Sequence, residues 1–157
     1  MRLSGSLGIL LTLSVGAAAT ALFVANAQEA GPSSTLSLVV ENHGTEYVTA
    51  AGSTSVFPGR LQTGDRIFSR DSLLGGGRSV GYDNELCTVT FDNQDLCQVM
   101  LVLAGKGQIH ASWLWVHWPS NFTGVIDGGT GAFADARGQF KATVLRNGAL
   151  RVTTTLR

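Results

Sequence analysis

Four acidic side chains, Glu41, Asp71, Asp83 and Glu85, lie within or beside apolar runs of this chain. A carboxyl taken out of water holds its proton more tightly, because burial penalises the charged form. One such group could deliver a proton to a bound reactive molecule near neutral pH. Tyr82, beside Gly81, offers a phenolic hydroxyl in the same stretch. Arg137 closes a glycine-rich run that begins at Gly128. A guanidinium fixed near the rim of a cavity could hold a carboxylate or a phenolate. It could equally bridge Asp135 or cap carbonyls freed by the glycine turn. Trp113 either lines a ligand pocket or packs in a core or an interface.

Other chemistries find no support. His43, His110 and His117 do not have metal-ligand spacing, and Cys87 and Cys97 are too far apart for a zinc knuckle. Phosphate-loop, nucleophile-elbow and dinucleotide fingerprints are absent. No metal and no cofactor is expected. The two cysteines read as a pair. A hairpin with Phe91-Asp-Asn93 as its loop would set Cys87 opposite Cys97 on one face, as a disulfide requires. Two free thiols are the alternative.

The elements that would position these groups begin after an export signal. Met1-Arg2 precedes an uncharged apolar run from Leu7 to Val24, and Val24-Ala-Asn-Ala27 has the small residues of a cleavage site. Residues 1–27 therefore read as a secretory signal peptide; a membrane anchor is the rival, because the run is about long enough to span. Residues 28–35 are polar and read as a disordered leader, and 36–157 as one domain. The expected location is extracytoplasmic, where a disulfide persists and no membrane contact remains after cleavage.

The chain carries 11 basic and 11 acidic residues, and losing Arg2 with the signal leaves a net charge of −1. That balance gives no footprint for nucleic acid or an anionic bilayer. Charged residues are only 14%, which implies a large interior or an outer face covered in a homodimer or homotrimer. The apolar Leu114, Val116 and Trp118, alternating with Trp113, Trp115 and His117, point to such a covered face.

No helical period appears. Leu150, Val152, Thr154 and Leu156 alternate with Arg151, Thr153, Thr155 and Arg157, the period-two pattern of a half-buried strand, and Asn147-Gly148 is a hairpin turn. Comparable runs at 36–42, 64–73, 79–91, 96–104, 107–118, 122–127 and 139–146 bring the expected strands to eight. Mostly tight connections predict an all-β, eight-stranded antiparallel up-and-down barrel. Residues 42–63 read as a long loop or lid.

With strands in place, the motifs resemble a known superfamily. Gly128-Gly-Thr-Gly-Ala-Phe-Ala-Asp-Ala-Arg-Gly138 is similar to the dirigent GGTG-x-F-x-x-ARG signature. Val80-Gly-Tyr-Asp-Asn-Glu-Leu-Cys-Thr-Val89 resembles a stretch of allene oxide cyclases, Thr63-Gly-Asp-Arg-Ile-Phe68 resembles the Gly-Asp turn that leads into a strand in both branches, and Gly107-Gln-Ile109 is similar to the start of the next family strand. The ordered set spans 36–157. The resemblance implies an eight-stranded barrel with an apolar cavity that confines a reactive intermediate and steers its cyclisation or coupling. The ligand would be small and apolar or phenolic, an epoxide or a quinone methide in character, and no cofactor is implied. Cys87 matches a cyclase pocket cysteine by position.

Departures from the pattern are plain. Cyclases carry a Glu and an Asn two residues apart on the first strand. Here Glu41 and Asn42 are adjacent, so only one faces inward; Asn42 does if Leu36, Leu38 and Val40 do. The second-strand Asn falls near Arg70-Asp71, and Ala132 stands where lignan-forming dirigents carry an acid. Asn42, Asp71 and Tyr82 are the catalytic candidates, and Trp113 and Arg137 the ligand-binding ones. A non-catalytic carrier or an interaction domain is the alternative function.

Overall fold

The computed structural model describes residues 34–55, 60–91, 94–116 and 120–157. The expected signal peptide and most of the leader lie outside the described residues, as do His117 and Trp118. The strands are β1 (Ser34–Val48), β2 (Thr54–Ser55), β3 (Arg66–Gly75), β4 (Arg78–Val89), β5 (Gln94–Leu103), β6 (Gly107–Val116), β7 (Asn121–Gly129), β8 (Gly138–Val144) and β9 (Leu150–Leu156). From β3 onward each strand pairs antiparallel with the next. The first half of β1 pairs with β9 and its second half with β3, which closes the sheet. The result is the expected eight-stranded up-and-down barrel, with β2 as a two-residue addition to the far end of β1. Among the described residues no helix is long and apolar enough to cross a membrane.

The bounds of β1 differ most from the sequence reading. β1 starts at Ser34, inside the expected leader, where Ser34 and Thr35 pair with Leu156 and Thr155. It also continues to Val48, through a segment read as loop. The reason is a register shift between Asn42 and Thr45, where His43-Gly44 bulges out of the ladder. A bulge reverses inward and outward positions, so the period-two pattern breaks although the strand does not.

Alternation sets the interior. Leu38, Leu73, Leu101, Leu103, Ile109, Ile126 and Leu156 are buried and fill one end. At this closed end the glycine-rich run turns the chain from β7 into β8 through a single 3-10 turn, Gly131–Phe133. Two of its glycines are required. Gly131 sits at φ +60°, which side chains rarely adopt, and a Cβ on Gly129 would lie 2.2 Å from the Phe133 carbonyl oxygen. Cys87 and Cys97 stand opposite each other on β4 and β5, both buried, and are joined in a disulfide. The loop between Thr90 and Gln94, closed by the Thr90 N–H donating to the Gln94 carbonyl at 2.7 Å, is the one that pairing required.

Candidate functional site

The end opposite the glycine turn is open. A cavity of about 350 Å³ enters there, and a narrower pocket of about 40 Å³ continues it toward the closed end. Val40, Glu85, Trp113, Phe122 and Leu150 line both, so the two form one channel.

One wall is acidic. Inward positions on β3, β4 and β5 place Asp71, Glu85 and Asp95 on the mouth, and Asp83 and Glu85 on the deeper part. Asp83 is only 2% exposed. Its Oδ1 accepts the Asp71 backbone N–H at 3.1 Å. Asp71 accepts the His43 backbone N–H at 3.3 Å, and Ser69 Oγ donates to Glu85 Oε2 at 3.3 Å. Loss of solvent is the main cause that raises all four acids. It pushes Asp83 up to about 8, with Asp71 and Glu85 adding repulsion. It pushes Glu85 up to about 7, with repulsion from Asp71 and relief from Ser69. Asp71 and Asp95 also rise through burial; His43 and Asn42 restrain Asp71.

Glu85 Oε1 also lies 2.9 Å from Cys87 Sγ. A disulfide sulfur has no proton to donate, so this contact is a hydrogen bond only when the carboxyl is protonated and gives its own. That agrees with the direction of the Glu85 shift. Glu85, Cys87 and Cys97 bring three potential metal-ligating atoms within 4.8 Å of one another. With the sulfurs bonded to each other no thiolate is available, and metal binding through them would need reduction first.

The facing wall is aromatic. Trp113 stacks on Phe122 at 5.6 Å between ring centroids, and Trp115 stacks on Phe122 at 5.7 Å. Phe140 meets Trp113 edge-on at 5.6 Å from the deeper side. Trp113 and Trp115 both face inward on β6, while Leu114 and Val116 stand exposed outside. Trp113 is 8% exposed, and its buried indole N–H has no acceptor among the described residues.

The candidates from sequence separate clearly. Asn42 and Asp71 are direct partners across β1 and β3, and both line the mouth. The Asn42 amide donates to Thr45 Oγ1 at 3.2 Å. Trp113 is in the cavity wall. Tyr82 is not: it alternates with Asp83, is 36% exposed on the outer surface, and carries the Arg70 guanidinium 4.2 Å over its ring. Arg137 is also elsewhere. The glycine turn lies at the closed end, and the exposed Arg137 donates to the carbonyl of its neighbour Ala136 at 2.7 Å. This is the structural alternative for that residue. Asp83 and Glu85 share the inward face with Cys87, so strand parity with the cysteine pair was the signal that could have promoted them. Asp95 had the same signal through Cys97.

A second polar group lies outside the barrel. His110 Nδ1 is bonded to Asp127 Oδ1, and Ser112 Oγ donates to Asp127 Oδ2 at 3.3 Å. The hydroxyl is bound to the acid rather than to the imidazole, so this is not the order of a nucleophilic triad.

No family model matches the chain, and no curated protein matches it. Solved structures do. Pyocyanin demethylase superposes with a TM-score of 0.65 at 26% identity, over 79% of this chain and 100% of its own. The pterocarpan synthase dirigent protein PsPTS1 gives 0.61 at 15% identity, over 80% of this chain and 94% of its own. A second, GePTS1, gives 0.59 at 15%, over 80% and 83%. The chain thus shares the barrel fold of these proteins, the fold that the sequence motifs implied.

Proposed function

We propose that this dirigent-type barrel binds a small, flat, mostly apolar molecule through its open end and directs ring closure or coupling of that molecule by proton transfer. The observation that carries the reading is the opposition of two walls: carboxyls that hold their protons near neutral pH, against stacked aromatic rings. The rings would hold a planar ligand by stacking. Glu85 would donate the proton, since a pKa close to the working pH balances acid strength against the protonated fraction. Asp83 behind it would restore the proton, and Asn42 and Asp71 would set the ligand's position at the mouth. Confinement away from water would favour one conformer over side reactions. The disulfide fits work outside the cytoplasm.

Two measurements test this reading. Titration with 1-naphthol, or with pyocyanin because the 26%-identical barrel is named for acting on it, should quench tryptophan emission saturably. Quenching that stays linear would remove the cavity from consideration. A prochiral ortho-quinone methide, released photochemically beside the protein, should close or add water with unequal enantiomer yields. Glu85→Gln should bring the product to racemic while 1-naphthol still binds. Racemic product from the unmodified protein, with binding intact, would leave a carrier.

A further inference from the structure

Counted over the whole chain the charges balance, but the fold separates them. Of the 11 Lys and Arg residues, all except Arg2, which lies outside the described residues, are exposed. Many of the acids are not. Asp65, Asp71 and Asp83 are buried, and Glu85 and Asp95 face the channel. Glu41, Glu46, Asp127 and Asp135 are the described acids that remain outside, and Asp127 is bound to His110. The separation is complete on one face. No acid occurs in 34–40 or in 138–157. Those residues form the first half of β1, β8 and β9, and β9 pairs with both of its neighbours. Lys141 and Arg151, with Arg157 just past the end of β9, are exposed there among Ser37, Thr153 and Thr155. The register fixes their spacing. Thr153 lies opposite Lys141 on one side and Ser37 on the other, and Arg151 is the next outward residue along β9. Outward side chains then form a grid of about 4.8 Å across the strands and about 6.8 Å along them.

We infer that the outer face of β8, β9 and the first half of β1 binds an acidic polysaccharide, a polymer with carboxylate or sulfate groups on a hydroxyl-rich chain. Lys141, Arg151 and Arg157 meet its anionic groups in charge-assisted hydrogen bonds. Ser37, Thr153 and Thr155, each able to donate and to accept, meet its hydroxyls. Phe140, the one aromatic residue of these segments, is buried inside the barrel. A single-stranded nucleic acid would therefore find no ring on which to stack its bases. The exposed apolar side chains Leu96, Leu114 and Val125 lie on β5, β6 and β7, and β9 stands across the barrel from β5. A partner on the apolar side leaves this face free. The channel opens at an end of the barrel, and outward and inward residues of one strand face opposite ways. Binding of the polymer thus does not depend on what the channel holds, and it leaves the mouth accessible.

The test uses the protein expressed from its full chain and surface-coupled alginate, a polyuronate, with neutral dextran and double-stranded DNA as comparisons. Alginate should retain the protein at about 20 mM salt and release it by about 0.5 M, since salt screens exposed charges. Dextran should not retain it. DNA, despite its denser charge, should bind more weakly than alginate. Lys141→Gln with Arg151→Gln should weaken alginate binding about tenfold. Arg66→Gln with Arg70→Gln removes the same charge from the outside of β3 and should weaken it less than about twofold. Thr153→Val keeps every charge and should weaken it about threefold. Each variant should keep the melting temperature of the unmodified protein within about 2 °C. Failure of alginate to retain the protein overturns the inference. Equal losses in the two paired variants would show attraction to total charge without a site, and overturn it as well. DNA bound as tightly as alginate would overturn the assignment to a polysaccharide. Unchanged binding in Thr153→Val would overturn the role given to the hydroxyls.

Discussion

At the closed end, Leu38, Leu73, Ile109 and Leu156 project from β1, β3, β6 and β9 into a packed core. At the mouth, β1, β3 and β6 continue with Asn42, Asp71 and Trp115 around an open cavity. Both ends are built from the same strands, so the difference lies in which side chains take the inward positions. Packing one end solid allows the other to hold groups that cost stability. The acids are retained against their desolvation, and the core that offsets them lies a few residues away on the same strands.

The largest expected effect breaks the closed end. Leu73 has no exposed surface, and Leu73→Ala should destabilise the fold by about 2–5 kcal/mol through lost transfer free energy and the cavity left behind. Urea unfolding would measure it. Under native conditions the variant should still bind 1-naphthol, because the mouth is built from other residues. A cost below about 1 kcal/mol would show that the closed end is not packed as described.

The acidic wall of the channel should respond in the opposite direction. Asp83 has its pKa raised from 3.8 to about 8 in the folded protein, chiefly by burial. An acid raised on folding stabilises the fold fully below its unfolded pKa, and that contribution is lost as pH climbs through the folded value. The wild-type protein should therefore lose stability between about pH 4 and pH 8 from this group. Asp83→Asn removes the titration. Its melting temperature should exceed wild type by about 5 °C at pH 9, and the advantage should vanish at pH 4. A variant less stable than wild type at pH 9 would mean that Asp83 is charged and paired, not neutral and desolvated.

The two ends were not equally legible from sequence. The closed end was readable because its signals are local. Alternation in Leu150–Leu156 marks a strand, and the φ of Gly131 and the crowding at Gly129 explain why the corner between β7 and β8 needs glycine. The cysteine pairing was readable for the same reason, since a short hairpin fixes which residues face each other. The mouth was harder. The bulge at His43-Gly44 hid the second half of β1, and with it Thr45 and Tyr47 of the lining. Asp83 and Glu85 are acids beside apolar runs, as Glu41 is, and type alone does not separate an inward carboxyl from a solvated one. For Arg137 the sequence leaves a rim role and a structural role both open, because nothing local tells which end of a barrel a turn occupies.

The smallest effect tests the assignment on which the whole comparison depends. Tyr82 and Asp83 are neighbours on β4, so they face opposite sides of the sheet. With Tyr82 outside, Tyr82→Phe keeps the ring under Arg70 and removes only an exposed hydroxyl. Stability should change by less than about 0.5 kcal/mol, and 1-naphthol affinity by less than about twofold. A slip of one residue in β4 would exchange every inward group for an outward one. It would put Tyr82 in the cavity and expel Asp83, Glu85 and Cys87 together. A tenfold loss of binding in Tyr82→Phe would therefore discredit the acidic wall as a unit. The disulfide argues against such a slip, since Cys87 and Cys97 can be bridged only when they share a face. The near-silent variant thus tests β4 independently of the disulfide.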